Sequence, residues 1–249
     1  MTQLVVGTPT LEGTRRFVRY AFMPNRLQYC GGDDSNAIME HAITGEGRSA
    51  ATPALKKFTG ALPYLTLIAH ENGIADPFDA RVVEAYWLGN ELLDRVEAAG
   101  LYGNLRERFA KNLSPRMLEL VAGKAPRGAR PHHNFHVFDV HCRAGELERS
   151  LATMDQCRIS WGRVVTAEAG SLIVERQPLA VVEGILCLGP VQQERVVREL
   201  GGHGFADDAA PGDCVSIHWG WVCEVIDERC RGNLERYTLH HLRLANETL

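Results

Sequence analysis

Near residue 153 the hydrophobic pattern changes period, from about 3.6 residues to about 2. A chain with that break cannot be one helical bundle or one sheet. Upstream, a helical grammar recurs: a capping side chain, proline just inside, an apolar stripe, glycine just outside. "GDDSNAIMEHAI" offers Asp34 or Ser35 as cap, and "TPALKKFTGALPYLTLIAHENG" offers Thr52 as cap with Pro53 at the first helical position. Pro63 is expected to break or kink the latter segment, and Gly73 to end it. "ADPFDARVVEAYWLGN" reads as a helix capped by Asp76, with Val82, Val83, Tyr86 and Trp87 as its stripe. "SPRMLELVAG" repeats the grammar with Ser114, Pro115 and Gly123, and Gly123 to Pro131 reads as a loop.

Downstream, "RISWGRVVTAEAGSLIVERQPL" reads as a hairpin turning near Ala169-Gly170. "ILCLGP" suggests another strand, and "RVVREL" fits strand or helix. "DCVSIHWGWVCEVID" reads as strand, kink at Gly220, strand. The tail places Leu234, Tyr237, His241 or Leu242, and Leu244 or Ala245 at helical spacing. The expected class is α+β: an α-helical domain over residues 1–153, then a small OB-like β-barrel with a C-terminal helix over 154–249.

Net charge is −4 with no Lys/Arg-rich run, which argues against nucleic acid, whose phosphates need a concentrated basic stripe. The start "MTQLVVGTPTLEGTRR" lacks signal-peptide character, and no apolar run approaches the roughly 18 residues of a membrane span. The expectation is a cytoplasmic protein without a membrane partner. The seven cysteines are an odd number, and reduced thiols are the default for such a chain. Phosphate-loop, dinucleotide and Ser-His-Asp signatures are absent from the sequence.

Cys157 opens the first strand of the second part, and His218 interrupts a later apolar strand. A thiolate and an imidazole suit a ferrous or zinc ion, and a carrier benefits from few ligands because the ion must leave again. Spacing alone favours the plainer reading, a core thiol and a hydrogen-bonded barrel histidine.

The second part resembles the HypC/HupF family of NiFe-hydrogenase maturation chaperones over about residues 155–246. "CRISWGRVV" places Cys157, Gly162 and Arg163 where that family has cysteine, glycine and a basic or polar residue. "PGDCVSIHWGWVCEVIDE" places Gly212, His218 and Gly220 at its second signature. The resemblance implies a small barrel with a C-terminal helix. It also implies that Cys157 and His218 bind an iron fragment carrying cyanide and carbon monoxide. The partners it implies are a hydrogenase large-subunit precursor and an iron–sulfur maturation scaffold protein. Family members carry the cysteine directly after the initiator methionine, whereas Cys157 is internal and lacks a free α-amine. The path between the pair is also longer here.

"PHHNFHVFDVHC" is a second candidate, with His132, His133, His136, His141 and Asp139. As a helix, it would put His132 and His136 on one face, a workable ligand spacing. The alternative is that these rings line an interface or cap a helix. "YCGGDDS" reads as turn and capping chemistry around Cys30, and Glu84 and His70 are acid/base candidates only if they converge with the histidines. Trp161, Trp219 and Trp221 flank the Cys/His pair and, with Cys157, are candidate partner contacts. The functional expectation is a maturation factor passing an iron intermediate to the large subunit, a metallochaperone rather than a catalyst, with no catalytic residue assigned. The alternative is a metal-dependent enzyme using the 132–141 segment, with the barrel as docking module.

Overall fold

The structure, a computed structural model, describes residues 9–31, 55–141 and 150–248. The caps expected at Asp34 or Ser35 and at Thr52, Cys142, and the side chain of His141 lie outside the described residues. The architecture is mixed α+β: helices first, then a five-stranded ring, then a closing helix.

Helix α1 (Pro9–Arg26) buries Phe17, Val18, Tyr20 and Ala21. Its Gly13 lies so close to the backbone of Phe78 and Asp79 that a Cβ would stand 2.0 Å from the Phe78 carbonyl oxygen. The segment is interrupted just before Pro63, as expected: a short helical piece at residues 55–56 ends in turns, and helix α2 (Leu62–Glu71) begins anew with Pro63 in its first turn, where proline forfeits no intrahelical bond. Helix α3 (Ala80–Trp87) is capped by Asp79, whose carboxylate accepts from the Arg81 N–H; Asp76, the expected cap, instead closes a turn by accepting from Phe78 N. Helices α4 (Ala98–Phe109) and α5 (Pro115–Ala122) follow, α5 with the expected Ser114 cap. The histidine-rich stretch forms one α turn, His133–Phe135, that widens into a π-helical segment, His136–His141. Helix α6 (Leu151–Cys157) leads into the strands.

Strands β1 (Ser160–Glu168) and β2 (Ser171–Arg176) form the expected hairpin. Strands β3 (Leu179–Val182) and β4 (Ile185–Leu188) form a separate hairpin. Strand β5 (Gln192–Val197) resolves the ambiguous segment as strand, and β6 (Glu199–Leu200) pairs with β7 (His203–Gly204). Strands β8 (Cys214–His218) and β9 (Trp221–Val225) are joined by Trp219 (φ 55°) and Gly220 (φ 66°). Two consecutive left-handed residues make the primed turn that matches strand twist. The order β1-β2-β5-β9-β8 closes on itself, all pairs antiparallel except β5 with β9. Val164, Leu172, Val174, Val196, Val215, Ile217 and Val222 fill it.

Helix α7 (Glu228–Asn246), capped by Asp227, turns Leu234, Tyr237, His241, Leu242, Leu244 and Ala245 inward as its spacing predicts. One continuous core joins both halves: Phe17, Trp87 and Phe135 share it with Trp221, Cys223 and Tyr237. Buried polar contacts reinforce the joint, since Tyr20 Oη meets Ser216 Oγ and Glu224 Oε1, each at 2.8 Å. Residue 153 itself falls inside α6. Among the described residues, no helix is long and apolar enough to cross a membrane.

Candidate metal centre

Two backbone-level clamps build the site. At the end of α6, the Trp219 N–H donates to the Gln156 carbonyl at 2.8 Å, so the adjoining residues, His218 and Cys157, meet. Asn134 acts as a strand partner for Ile159: its Oδ1 accepts from Ile159 N at 2.8 Å and its Nδ2 donates to Ile159 O at 3.0 Å. That pairing brings His133 against Cys157, and His133 Nε2 donates to the Cys157 carbonyl at 2.9 Å. Buried Asp155 fixes the bend after α6 by accepting from Arg158, Arg176 and the Leu179 N–H.

One ligand atom each from His133, Cys157 and His218 lies within 4.8 Å of the others, and all three residues are buried. Such a group could hold a metal ion. Its identity is not specified by these donors, because imidazole and thiolate suit zinc, ferrous and other soft ions.

Hydrogen bonding decides which nitrogens have a lone pair to give. His218 Nδ1 lies 2.7 Å from the Tyr20 carbonyl oxygen. A carbonyl can only accept, so Nδ1 carries the proton and Nε2 the lone pair. That Nε2 is buried without a hydrogen-bond partner. Burial holds the ring's pKa down at about 4, so it is neutral and ready to ligate. The Tyr20 carbonyl is available for a reason visible in sequence: Pro24, inside α1, has no N–H with which to close the bond to the residue four back. By the same logic His133 carries its proton on Nε2, leaving Nδ1 to accept from Tyr86 Oη at 3.1 Å. His218 therefore presents a donor nitrogen whose opposite nitrogen is fixed by a backbone carbonyl, the arrangement that orients imidazole ligands, whereas the lone pair of His133 is engaged by the Tyr86 hydroxyl and would have to be released to an ion.

The other candidates go elsewhere. His132 is the cap of the short turn, with extended backbone (φ −108°, ψ 147°), and its Nδ1 accepts from Asn134 N at 3.1 Å. Its lone pair is thereby used. It stacks on Tyr237 and His241, with its pKa lowered by burial to about 3. His136 bonds Tyr64 Oη through Nδ1 at 3.1 Å. The expected His132/His136 face does not form, because His132 lies outside the helical turn and the segment after it is π-helical. Asp139, fully buried, faces Lys124 at 3.5 Å as an ion pair rather than a ligand. Trp221 is a core residue against Phe22 and Phe205, not a partner contact. Trp161 and Trp219 are half-buried, and Trp219 stacks on Tyr29 at 4.1 Å. Cys157 is 1% exposed within an apolar cluster of Val137, Phe138, Leu179, Leu186 and Leu242, so it does not present its thiol to a partner's cysteine in this conformation. Glu84 serves as a structural carboxylate. Burial raises it, but bonds from Arg229 and Asn90 and the Arg16 charge outweigh that and leave it below the usual range. His70 is exposed at the other end of α2.

A cavity of about 330 Å³ adjoins the centre. His133 and His218 are on its wall with Tyr86, Trp87, His136 and Cys30, while Cys157 is not. Sequence reasoning missed the partnership of His133 with the Cys157/His218 pair and the roles of Asn134 and Tyr86. The one local signal was the proline inside α1.

Fold and site together define a mixed helical and β-ring protein with a buried His/Cys/His group suited to a metal. The chain belongs to the DUF6390 family, a family of unknown function, whose model matches residues 9–249. No curated protein and no solved structure matches it.

Proposed function

We propose that this protein is a metal-binding accessory factor that holds a ferrous intermediate for NiFe-hydrogenase assembly through His133, Cys157 and His218. The observation that carries the reading is the meeting of Cys157 and His218, the pair matched by the HypC/HupF resemblance, with ligand atoms within 4.8 Å. The unpartnered Nε2 of His218 supports it further, since a buried lone pair without a donor is costly unless a ligand uses it. In this reading His133 replaces the α-amine that an internal cysteine lacks. The adjoining cavity of about 330 Å³, with His133 and His218 on its wall, would give room for the iron's own small ligands. The partners are the large-subunit precursor and an iron–sulfur scaffold protein, and delivery requires the buried centre to open.

The cavity favours a second reading, a metal-dependent enzyme acting on a small molecule beside Tyr86 and His136. Anaerobic purification with iron and zinc analysis tests both. His133→Ala, Cys157→Ala and His218→Ala are each expected to lose the metal, and a His132→Asn/His136→Gln double variant to keep it. Transfer of iron to the large-subunit precursor supports the carrier. Turnover with no transfer supports the enzyme, and a wild-type protein that binds neither iron nor zinc removes both.

A further inference from the structure

We propose that Cys30 is a fourth, exchangeable ligand of the His133/Cys157/His218 centre, an inference that rests on reading that centre as a metal site. Ions held by nitrogen and sulfur donors in proteins are commonly four-coordinate. Three protein ligands leave one position, and the cavity wall shows what can fill it. His218 on that wall is 2% exposed, with an unpartnered Nε2. Among the described residues, the same wall carries two further soft donors, Cys30 and His136. His136 is tied through Nδ1 to Tyr64 Oη at 3.1 Å, on the helix α2 side of the cavity.

The Cys30 thiol is not one of the three ligand atoms that lie within 4.8 Å of one another, but it shares the cavity wall with His133 and His218. Cys30 follows α1, the helix whose Tyr20 carbonyl aims His218. Its turn is pinned by Tyr29 N and Cys30 N donating to the Pro24 carbonyl at 2.9 and 3.3 Å. Asn25 Nδ2 donates to the Cys30 carbonyl at 3.0 Å. The ring of Tyr29 stacks on Trp219, the residue after His218. The turn bearing the thiol and the strand end bearing the imidazole are thus fastened to each other.

Charge favours the same set. A divalent ion with one thiolate and two neutral imidazoles leaves a net positive charge buried among apolar side chains, which is expensive. A second thiolate neutralises it. Accessibility sets the role: Cys157 is 1% exposed, whereas Cys30 is half-buried, so an ion passing between solvent and the buried rings meets the Cys30 thiol first.

Co(II) titration of the full-length, reduced protein tests this, because thiolate-to-cobalt charge-transfer absorbance counts bound thiolates. Cys30→Ser and Cys157→Ser should each lower that absorbance per bound Co(II) to about half the wild-type value. Bound Co(II) should also slow alkylation of Cys30 in the unaltered protein, with Cys187 as internal control, which removes dependence on a variant that folds poorly. A Cys30→Ser spectrum equal to wild type, with Cys30 alkylated as fast with metal as without, overturns the fourth ligand and leaves the three-residue site standing. A wild-type protein that shows no charge-transfer band overturns the metal site itself, and Cys30's role with it.

Discussion

The carbonyl oxygen of Tyr20 accepts a 2.7 Å hydrogen bond from Nδ1 of His218, 198 residues away. Pro24 makes this possible by leaving that carbonyl without its helical donor. Pro24→Ala supplies the missing N–H and sets it in competition with the imidazole. Metal affinity should fall roughly tenfold, the usual scale for losing an outer partner of a ligating histidine. Stability should not fall with it, because alanine is the better helix former. Competition titration against a chelator, beside a thermal melt, checks both; a melt that drops while affinity holds would make Pro24 a packing residue alone.

Asn134 makes three buried side-chain bonds, two to Ile159 and one to Thr238 Oγ1 at 2.8 Å. Asn134→Ala strands the Ile159 N–H and C=O away from water. The expected cost is about 2–6 kcal/mol, since each of the two unsatisfied buried groups costs about 1–3 kcal/mol. His133 and Cys157 also lose the clamp that joins them, so metal content should fall in the fraction that still folds. Urea denaturation and metal analysis on the same preparation report the two effects separately.

The amphipathic face of α7, the β1/β2 hairpin and the kink at Gly220 were legible because period and turn chemistry are local properties. The resemblance singled out Cys157 and His218, which the structure brings together, but the geometry that joins them was not legible. That geometry depends on a hydrogen bond between residues 156 and 219, and on an asparagine acting as a strand edge. Neither leaves a periodic trace. The histidine-rich segment misled because residue spacing presumes a regular helix. There the backbone is extended at His132 and widens after Phe135, so neighbours in sequence face different elements. Trp221 looked like an interface anchor because an aromatic flanking a site cannot declare its own burial. Asp76 and Asp79 both satisfy cap grammar, and the three-residue difference lies within ordinary uncertainty about where a helix starts.

Burial lowers the His132 pKa to about 3 and holds His241 well below its usual 6.5, the latter helped by the positive charge of Arg130. Such rings are neutral in the fold and take up protons on unfolding. The unfolded chain therefore binds more protons, and stability falls as pH drops below about 6.5, for His132 down to about 3. Each ring contributes a slope of up to about 1.4 kcal/mol per pH unit in that window. His241→Gln can still accept from the Arg130 N–H that His241 now satisfies, but it does not titrate. Measured on metal-stripped protein between pH 6 and 4, its unfolding free energy should decline less steeply than wild type. An unchanged slope would mean that His241 does not carry this acid sensitivity.

Tyr86 stands where a bound metal would compete with the protein for one lone pair. Its hydroxyl is buried and its pKa pushed well up by desolvation, so it remains a donor, and His133 Nδ1 is its acceptor at 3.1 Å. With Nε2 of that ring held by the Cys157 carbonyl, Nδ1 is the nitrogen with a lone pair, and an ion binding there would displace the hydroxyl. A hydrogen bond of this kind is worth about 0.5–1.5 kcal/mol. Tyr86→Phe removes it while keeping the ring that packs against Tyr64 and Trp87. Affinity for Zn(II) should therefore rise by roughly twofold to tenfold, with His133→Ala as the control that abolishes the gain. Weaker binding in Tyr86→Phe would mean that the hydroxyl supports the bound ion instead of competing with it, and that His133 reaches the metal through Nε2 after releasing Cys157.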